Sequence, residues 1–486
     1  MKKFTKILVL TVALMAILAI ASYASPHGII ENEPVSIPNG NVTIDGYINA
    51  DECYSKPAKM NYDTVGYYWA HNPLSTNADI YYAYDDEGII IGMDIVEGLE
   101  AIDERDGTDL TGLNSFQYST DFDTLDLDVD TGANDYGWNG DVAGFMFDPL
   151  GALIGEGFSG STDLSANYMV GLFQGAEGEE DYIRVYRSRS FEDGEVTDLI
   201  ESAGRVTENG WAFEVKIPWD LIIEDTDSAS LGFVQLTKDV IIQSGSVIRT
   251  NVLYQDRFFD DEQGDVATWG RYMTAPATLP DGTPGHLGSG EGIASYGIKL
   301  NLLKFDDVNE GDWYKNSVYY CAANGYVTGT TATTFNPKAK LTRGAFVVIL
   351  ARVAGADLTQ YTESEFKDVD ASAWYGPSVI WAAKEGYVNG LGDGTTFGPG
   401  NTMPRQQLAT MFFRYAEKAG LDVDGRADLT KYTDYADIGS WATDACAWAV
   451  DAGLMKSTSS DALVFAPTNP VTRAQAAQVF MNYDAM

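Results

Sequence analysis

"FNPKAKLTRGAF" (residues 335–346), "FGPGNTMPRQQL" (397–408) and "FAPTNPVTRAQA" (465–476) share one layout: an F-x-P turn, then an arginine eight residues after the phenylalanine. Each arginine opens a run of helical period, where the dipole of the helix makes a cation mildly unfavourable. Thr342 and Thr472 precede it as N-caps, and the second copy has Pro404 there. Three occurrences of an unfavourable placement ask for a purpose. A helix start with N–H groups to spare, plus a planar guanidinium, suits a carboxylate or phosphate. The alternative is an ion pair from each arginine to an aspartate of a neighbouring repeat, and both can hold together.

Working outward, the same period recurs in other landmarks. Asp307, Asp368 and Asp434 each follow an aromatic by two positions, and Trp313, Trp374 and Trp441 follow them. Arg343, Arg405 and Arg473 are 62 and 68 residues apart, and the tryptophans 61 and 67. Several landmarks on nearly one period define an internal repeat of helix, loop, helix. The tryptophans read either as core anchors of each first helix or as ligand contacts.

These residues resemble the S-layer homology domain family in its usual triplet, over repeats at 303–361, 362–428 and 429–486. The resemblance implies a pseudo-threefold α-helical bundle whose inter-repeat grooves bind a pyruvylated secondary cell wall polymer on peptidoglycan. Carried over by position, the wall-polymer residues are Asp307, Trp313, Gly329 and Arg343, then Asp368, Trp374, Gly390 and Arg405, then Asp434, Trp441 and Arg473. The chain departs from the family motif in lacking its closing acidic residue: it reads "TRGA", "PRQQ" and "TRAQ". The third repeat has Lys456 where the family has glycine, so Arg343 and Arg405 are expected to bind better than Arg473.

Residues 25–275 have a different grammar. Alternating or apolar runs are separated by Gly, Asp and Asn turns, as in an all-β sandwich. "VTIDGYINADECYSKPAKM" (42–60), "ADIYYAYDDEGIIIGMDIVE" (78–97), "DTLDLDVDTG" (123–132) and "GWAFEVKIPWDLI" (210–222) occur in that order. Together they resemble family 9 carbohydrate-binding modules, which implies an extracellular glycan as partner. Trp211 and Trp219 sit in apolar strand-like sequence and read as core. Trp69 and Trp138 stand in turn-like surroundings and are the candidates for sugar stacking. Asp126, Asp128 and Asp130 alternate along a strand and share one face, which invites Ca²⁺ or is simply a solvated face. No other cofactor is implied. Residues 276–302 are rich in Gly, Pro, Ser and Thr, a linker by composition.

The 486 residues carry a formal net charge of −40, which argues against nucleic acid as a partner. Residues 25–302 hold 13 basic against 50 acidic side chains, and residues 303–486 hold 15 against 21, so the acidity belongs to the first part. Residues 1–24 read as a secretory signal peptide: Lys2, Lys3 and Lys6, an apolar run of about 15 residues, then Ser22 and Ala24. No membrane span is expected after cleavage, and the protein is expected in the cell wall or surface layer. Cys53, Cys321 and Cys446 show no metal or disulfide spacing. No nucleophile elbow, zinc motif or phosphate loop is present, and acid pairs such as Asp121/Asp123 are too common here to mark a glycosidase. A wall-anchored binding protein is therefore expected, with a structural lattice protein or a surface glycan-degrading enzyme as alternatives.

Overall fold

The computed structural model describes residues 35–49, 52–60, 70–71, 77–97, 142–148, 166–176, 178–187, 195–226, 237–242, 247–260, 265–273 and 298–486. The chain divides into two compact units, Met1–Lys304 and Phe305–Met486. The signal-peptide reading and Trp69, Trp138, Asp126, Asp128 and Asp130 lie outside the described residues.

The first unit is a two-sheet β-sandwich. Its strands are β1 (Val35–Ile37), β2 (Ala58–Met60), β3 (Ala70–His71), β4 (Asn77–Tyr84), β5 (Gly88–Val96), β6 (Val142–Asp148), β7 (Ala166–Phe173), β8 (Tyr182–Arg187), β9 (Glu201–Thr207), β10 (Gly210–Pro218), β11 (Val247–Asp260), β12 (Asp265–Met273) and β13 (Ile298–Leu302). One sheet runs β2-β4-β5-β10-β9, and the other β1-β13-β11-β6-β7-β8 with β12 and β3 added beside β11. Central strands β5 and β10 are buried on both faces for most of their length, which is why they read as continuous apolar runs. Phe213 of one sheet meets Phe145 of the other edge to face at 6.0 Å, and the buried Trp211 indole N–H donates to Tyr254 Oη across the sheets. Trp211 and Trp219 are core, as their apolar surroundings predict.

The end of this unit differs from expectation. Residues 276–302 read as linker, yet Ile298–Leu302 is a strand that pairs parallel with β1 and antiparallel with β11. The sandwich therefore runs past residue 275. Its first and last described strands are neighbours, and the alternating "IKLNL" earned its place through pairing partners distant in sequence.

The sequence marks of the sandwich hold it together. Glu214, fully buried, accepts from the backbone N–H groups of Asp45 and Gly46 and from the Tyr54 hydroxyl, so the I-D-G opening is fastened to the sheet. Gly46 has φ of 81°, a left-handed conformation that costs glycine little. Trp219 donates its indole N–H to Asp85 O, and Lys216 pairs with Asp85 and Glu87, so the I-P-W segment secures the acidic turn before β5.

The second unit is helical. After the short sandwich helices α1 (Trp219–Asp225) and α2 (Lys238–Ile241), it contributes α3 (Lys315–Ala323), α4 (Arg343–Val353), α5 (Gly376–Lys384), α6 (Arg405–Lys418), α7 (Thr443–Asp451) and α8 (Arg473–Asp484). Packing alternates between repeats: α4 lies on α5, α6 on α7, and α8 returns to α3. Phe346, Phe412 and Phe480, one from each second helix, meet pairwise at 5.4–6.5 Å between ring centroids. The three approach segments close a ring of backbone bonds: Leu341 N to Val471 O (2.8 Å), Val471 N to Met403 O (2.8 Å) and Met403 N to Leu341 O (2.9 Å). This is the pseudo-threefold bundle the resemblance implies. Cys321 and Cys446 are buried within it and Cys53 within the sandwich, none of them in a disulfide.

Candidate functional site

Each seam between repeats is built from an F-x-P loop of one repeat and the helix start of the preceding one. The loop is held from within by its own aspartate. Asp307 accepts from the N–H groups of Phe335 and Asn336, Asp368 from Phe397 and Gly398, and Asp434 from Phe465 and Ala466, at 2.6–2.9 Å. A carboxylate is the side chain that can accept two adjacent N–H donors at once.

The loop is held from outside by the arginine of the preceding repeat. Arg343 Nε donates to Phe397 O, Arg405 Nε to Phe465 O and Arg473 Nε to Phe335 O. Nη2 of each reaches a second carbonyl, of Asn389, Lys456 and Thr328 respectively. Each guanidinium also lies over the ring of that same phenylalanine, at 4.4, 5.2 and 4.5 Å. Arg343 and Arg405 are buried and Arg473 half-buried. Burial lowers all three pKa values, Arg343's to about 10, with the nearby Asp368 opposing the shift.

Two sequence expectations are corrected here. The N–H groups that open each helix are not spare: Arg343 N donates to Asn401 O, Gly344 N to Pro399 O, and Ala345 N to the Thr342 hydroxyl. Arg405 and Gln406 likewise donate to Asn469 O and Pro467 O, and Arg473 and Ala474 to Ala339 O and Pro337 O. The helix starts are stapled to the next loop. Nor do the arginines form the alternative ion pairs, because the aspartates are occupied by the loop N–H groups and the arginines by carbonyls.

The glycine correspondence also shifts. Gly329 and Gly390 sit where a Cβ would lie 2.3 Å from Thr331 O and 2.4 Å from Gly394 O. The equivalent residue in the third repeat is Ser457, because Thr330, Leu391 and Thr458 make the matching loop-closing bonds to Thr334, Thr396 and Val464. The loop there is longer, and the Ser457 hydroxyl bonds to Ser459 O and Ala462 O within it. Lys456 supplies its carbonyl to Arg405, so the departure falls on the seam of Arg405 and not on that of Arg473.

Trp313, Trp374 and Trp441 are 63%, 67% and 57% exposed, which excludes the core-anchor reading. Each precedes an α3, α5 or α7 start. Trp313 and Trp374 stand edge-on to Tyr314 and Tyr375, and Trp441 Nε1 lies against Gly439. The Tyr375 ring in turn abuts Gly344, beside Arg343. Three exposed indoles thus mark the three seams, and an indole face suits the C–H face of a sugar. Among the described residues no His/Cys/Asp/Glu group is arranged to hold a metal ion, and no helix is long and apolar enough to cross a membrane.

Comparison with known proteins agrees with this geometry. Residues 304–347, 365–409 and 431–477 each match the S-layer homology domain. Exoglucanase XynX of Acetivibrio thermocellus is 24% identical over 296 residues, 60% of this chain and 24% of its own length. An endoglucanase of Bacillus sp. (strain KSM-635) is 29% identical over 181 residues, 37% of this chain and 19% of its own. The surface-layer 125 kDa protein of Lysinibacillus sphaericus is 25% identical over 182 residues, 37% of this chain and 15% of its own. The chain thus spans about a quarter or less of the length of these relatives. A family 9 carbohydrate-binding module from Caldicellulosiruptor kristjanssonii, solved with cellotriose, aligns with 56% of this chain and 93% of its own at 11% identity and a TM-score of 0.29. The second unit therefore carries three S-layer homology domains, which are surface-anchoring binding domains and not catalytic ones.

Proposed function

We propose that this chain, an S-layer homology triplet behind a β-sandwich, is a secreted cell-surface protein. The triplet anchors it non-covalently to an anionic, pyruvylated secondary polymer of the cell wall, and the sandwich displays a glycan-binding surface without catalysis. The observation that carries the anchoring reading is the recurrence of an exposed tryptophan beside an arginine-closed seam in all three repeats. An exposed indole at the same place in all three repeats offers a flat apolar face of the kind that can cover a sugar ring. The guanidinium sits in a low-dielectric seam, where an anion gains more than it would in bulk water.

Glycan binding by the sandwich rests on the sequence resemblance of residues 42–60, 78–97, 123–132 and 210–222. Trp69 and Trp138 are its candidate stacking residues, and Asp126, Asp128 and Asp130 its candidate Ca²⁺ ligands. The alignment with XynX is longer than the whole second unit, so it reaches into the sandwich as well.

Sedimentation of the mature protein with purified walls tests the anchoring, before and after chemical removal of the secondary polymer. Binding should be lost from stripped walls, and equal binding to both preparations refutes it. A glycan array with and without chelator tests the sandwich. Absence of any glycan signal would favour the surface-lattice alternative, to which the similarity to the 125 kDa surface-layer protein lends weight.

A further inference from the structure

The three seams share a plan but not an equal readiness for a ligand. In the first, closed by Arg343, the remaining nitrogen of the guanidinium is also taken: Nη1 donates to Gln407 Oε1 at 2.8 Å. Gln407 stands two residues after the arginine of its own repeat. In the second seam, closed by the buried Arg405, the Gln406 side chain crosses the gap and its Oε1 accepts the Gly439 N–H at 2.9 Å, beside the Trp441 indole. The first seam thus places a carboxamide oxygen of the protein itself on the guanidinium, where an acceptor from outside would have to bind, and the second has a carboxamide spanning it beside the indole.

The third seam, between the last repeat and the first, has neither plug. The residue matching Gln407 is Ala345 and the residue matching Gln406 is Ala474. Arg473 is the half-buried member of the set, and among the described residues its Nη1 meets no protein acceptor. Arg405 shares that uncommitted nitrogen but is buried. The loop under Arg473 reads F-N-P-K-A-K, where the others read F-G-P-G-N-T and F-A-P-T-N-P. Lys338 and Lys340 are exposed, and Lys338 lies near enough to Asp312, next to Trp313, for the charges to interact. On a chain of net charge −40, two exposed cations on the loop that Arg473 clamps add positive charge to this seam that the other two loops lack.

We infer that the seam of Arg473, Lys338 and Trp313 is the principal ligand groove, and that it takes a saccharide bearing a carboxylate. Gln407 and Gln406 act as built-in occupants that weaken the other two. This reading rests on the anchoring function above and reverses the order the sequence suggests. The carboxylate meets Arg473 Nη1 and the lysine charges, while the indole of Trp313 covers an apolar sugar face. No site is built on the helix N-terminus, since its N–H groups are spent on the loop.

The test uses the full mature protein and soluble fragments of the wall polymer, with affinity and stoichiometry read by calorimetry. Ala345→Gln gives Arg473 the carboxamide that Gln407 gives Arg343, and glutamine already occurs at that position in both other repeats, so folding is preserved. It should weaken binding about 10- to 100-fold, the loss of one charge-assisted contact. Lys338→Gly should weaken it several-fold, and more at low salt. Gln407→Ala should raise the number of fragments bound per chain by uncovering a second groove. Depyruvylated fragments, with the ketal carboxylate removed, should bind the wild type and Ala345→Gln equally weakly. If the wild type binds fragments but Ala345→Gln binds them equally well, or Gln407→Ala loses binding, the assignment of the groove is overturned while anchoring stands. If the wild type binds neither walls nor fragments, the anchoring function itself is overturned.

Discussion

Replacing Arg343 by alanine separates the clamp it forms from any contact it makes with a ligand. The side chain is 3% exposed and serves Phe397 O, Asn389 O and Gln407 Oε1 while covering the Phe397 ring. Truncation leaves the two carbonyls without a donor, at about 1–3 kcal/mol for each acceptor that stays buried. Loss of the ring contact adds about 0.5–1 kcal/mol. Water entering the vacated seam recovers part of this, and a net destabilisation of roughly 3 kcal/mol remains. For a unit of this size each kcal/mol lowers the melting temperature by about 2–4 °C, so a fall of about 6–12 °C is expected. Differential scanning calorimetry of the full chain, following the triplet transition, measures it. Arg473→Ala should cost less, because its guanidinium is half-buried and has two protein acceptors. Arg343→Lys should recover less than half, since an ammonium cannot serve two carbonyls and a carboxamide in the fixed fork. A shift below 2 °C for Arg343→Ala, or a larger one for Arg473→Ala, would refute the clamp.

Trp313→Ala, Trp374→Ala and Trp441→Ala should each change unfolding free energy by no more than about 0.5 kcal/mol, because these indoles are exposed. Pelleting with walls should nevertheless fall, most for Trp313. Trp211→Ala should destabilise the sandwich by about 3–5 kcal/mol in urea denaturation, from a cavity and the lost hydrogen bond to Tyr254. Burial chiefly raises the Glu214 pKa above its ordinary 4.5. Its contribution to stability is therefore complete below about pH 4.5 and fades as pH rises through the folded-state value. Glu214→Gln should flatten that part of the urea-midpoint profile, and an unchanged slope would count against the assignment. Limited proteolysis should cut before Ile298, and the two pieces should stay associated under native conditions, because β13 is paired on both sides within the sandwich. First cuts inside 298–302 would contradict that pairing.

Much of this was legible in sequence because repetition is a strong signal. The period fixed which residues are equivalent, and equivalence located the aspartates, arginines and tryptophans of all three seams. Direction was not legible. An arginine eight residues after a phenylalanine looks like its partner, yet Arg343 reaches Phe397 of the next repeat, 54 positions on. The same blind spot assigned the Lys456 departure to Arg473, when its carbonyl serves Arg405. Exposure was not legible either, since a tryptophan before a helix has the same letter in a core or on a surface. In the sandwich, "IKLNL" was masked by the Gly/Pro/Ser/Thr-rich run before it. Glu214 carried no local sign that it would anchor Asp45 and Gly46 some 168 positions earlier. Only the contacts made by long-range pairing reveal such roles.

The ring of bonds through Leu341, Met403 and Val471 has a consequence for how such a chain can change. A linear array of repeats has two ends and can be lengthened or trimmed one unit at a time. A closed circuit has no ends. Deleting one repeat leaves an arginine and a loop facing nothing, and a fourth copy finds no seat. Copy number is therefore free to change only by whole circuits of three. Order within the circuit is far less constrained, since α8 packs against α3 as α4 does against α5 and α6 against α7. A gene rewritten to begin at the second repeat and finish with the first would keep every seam.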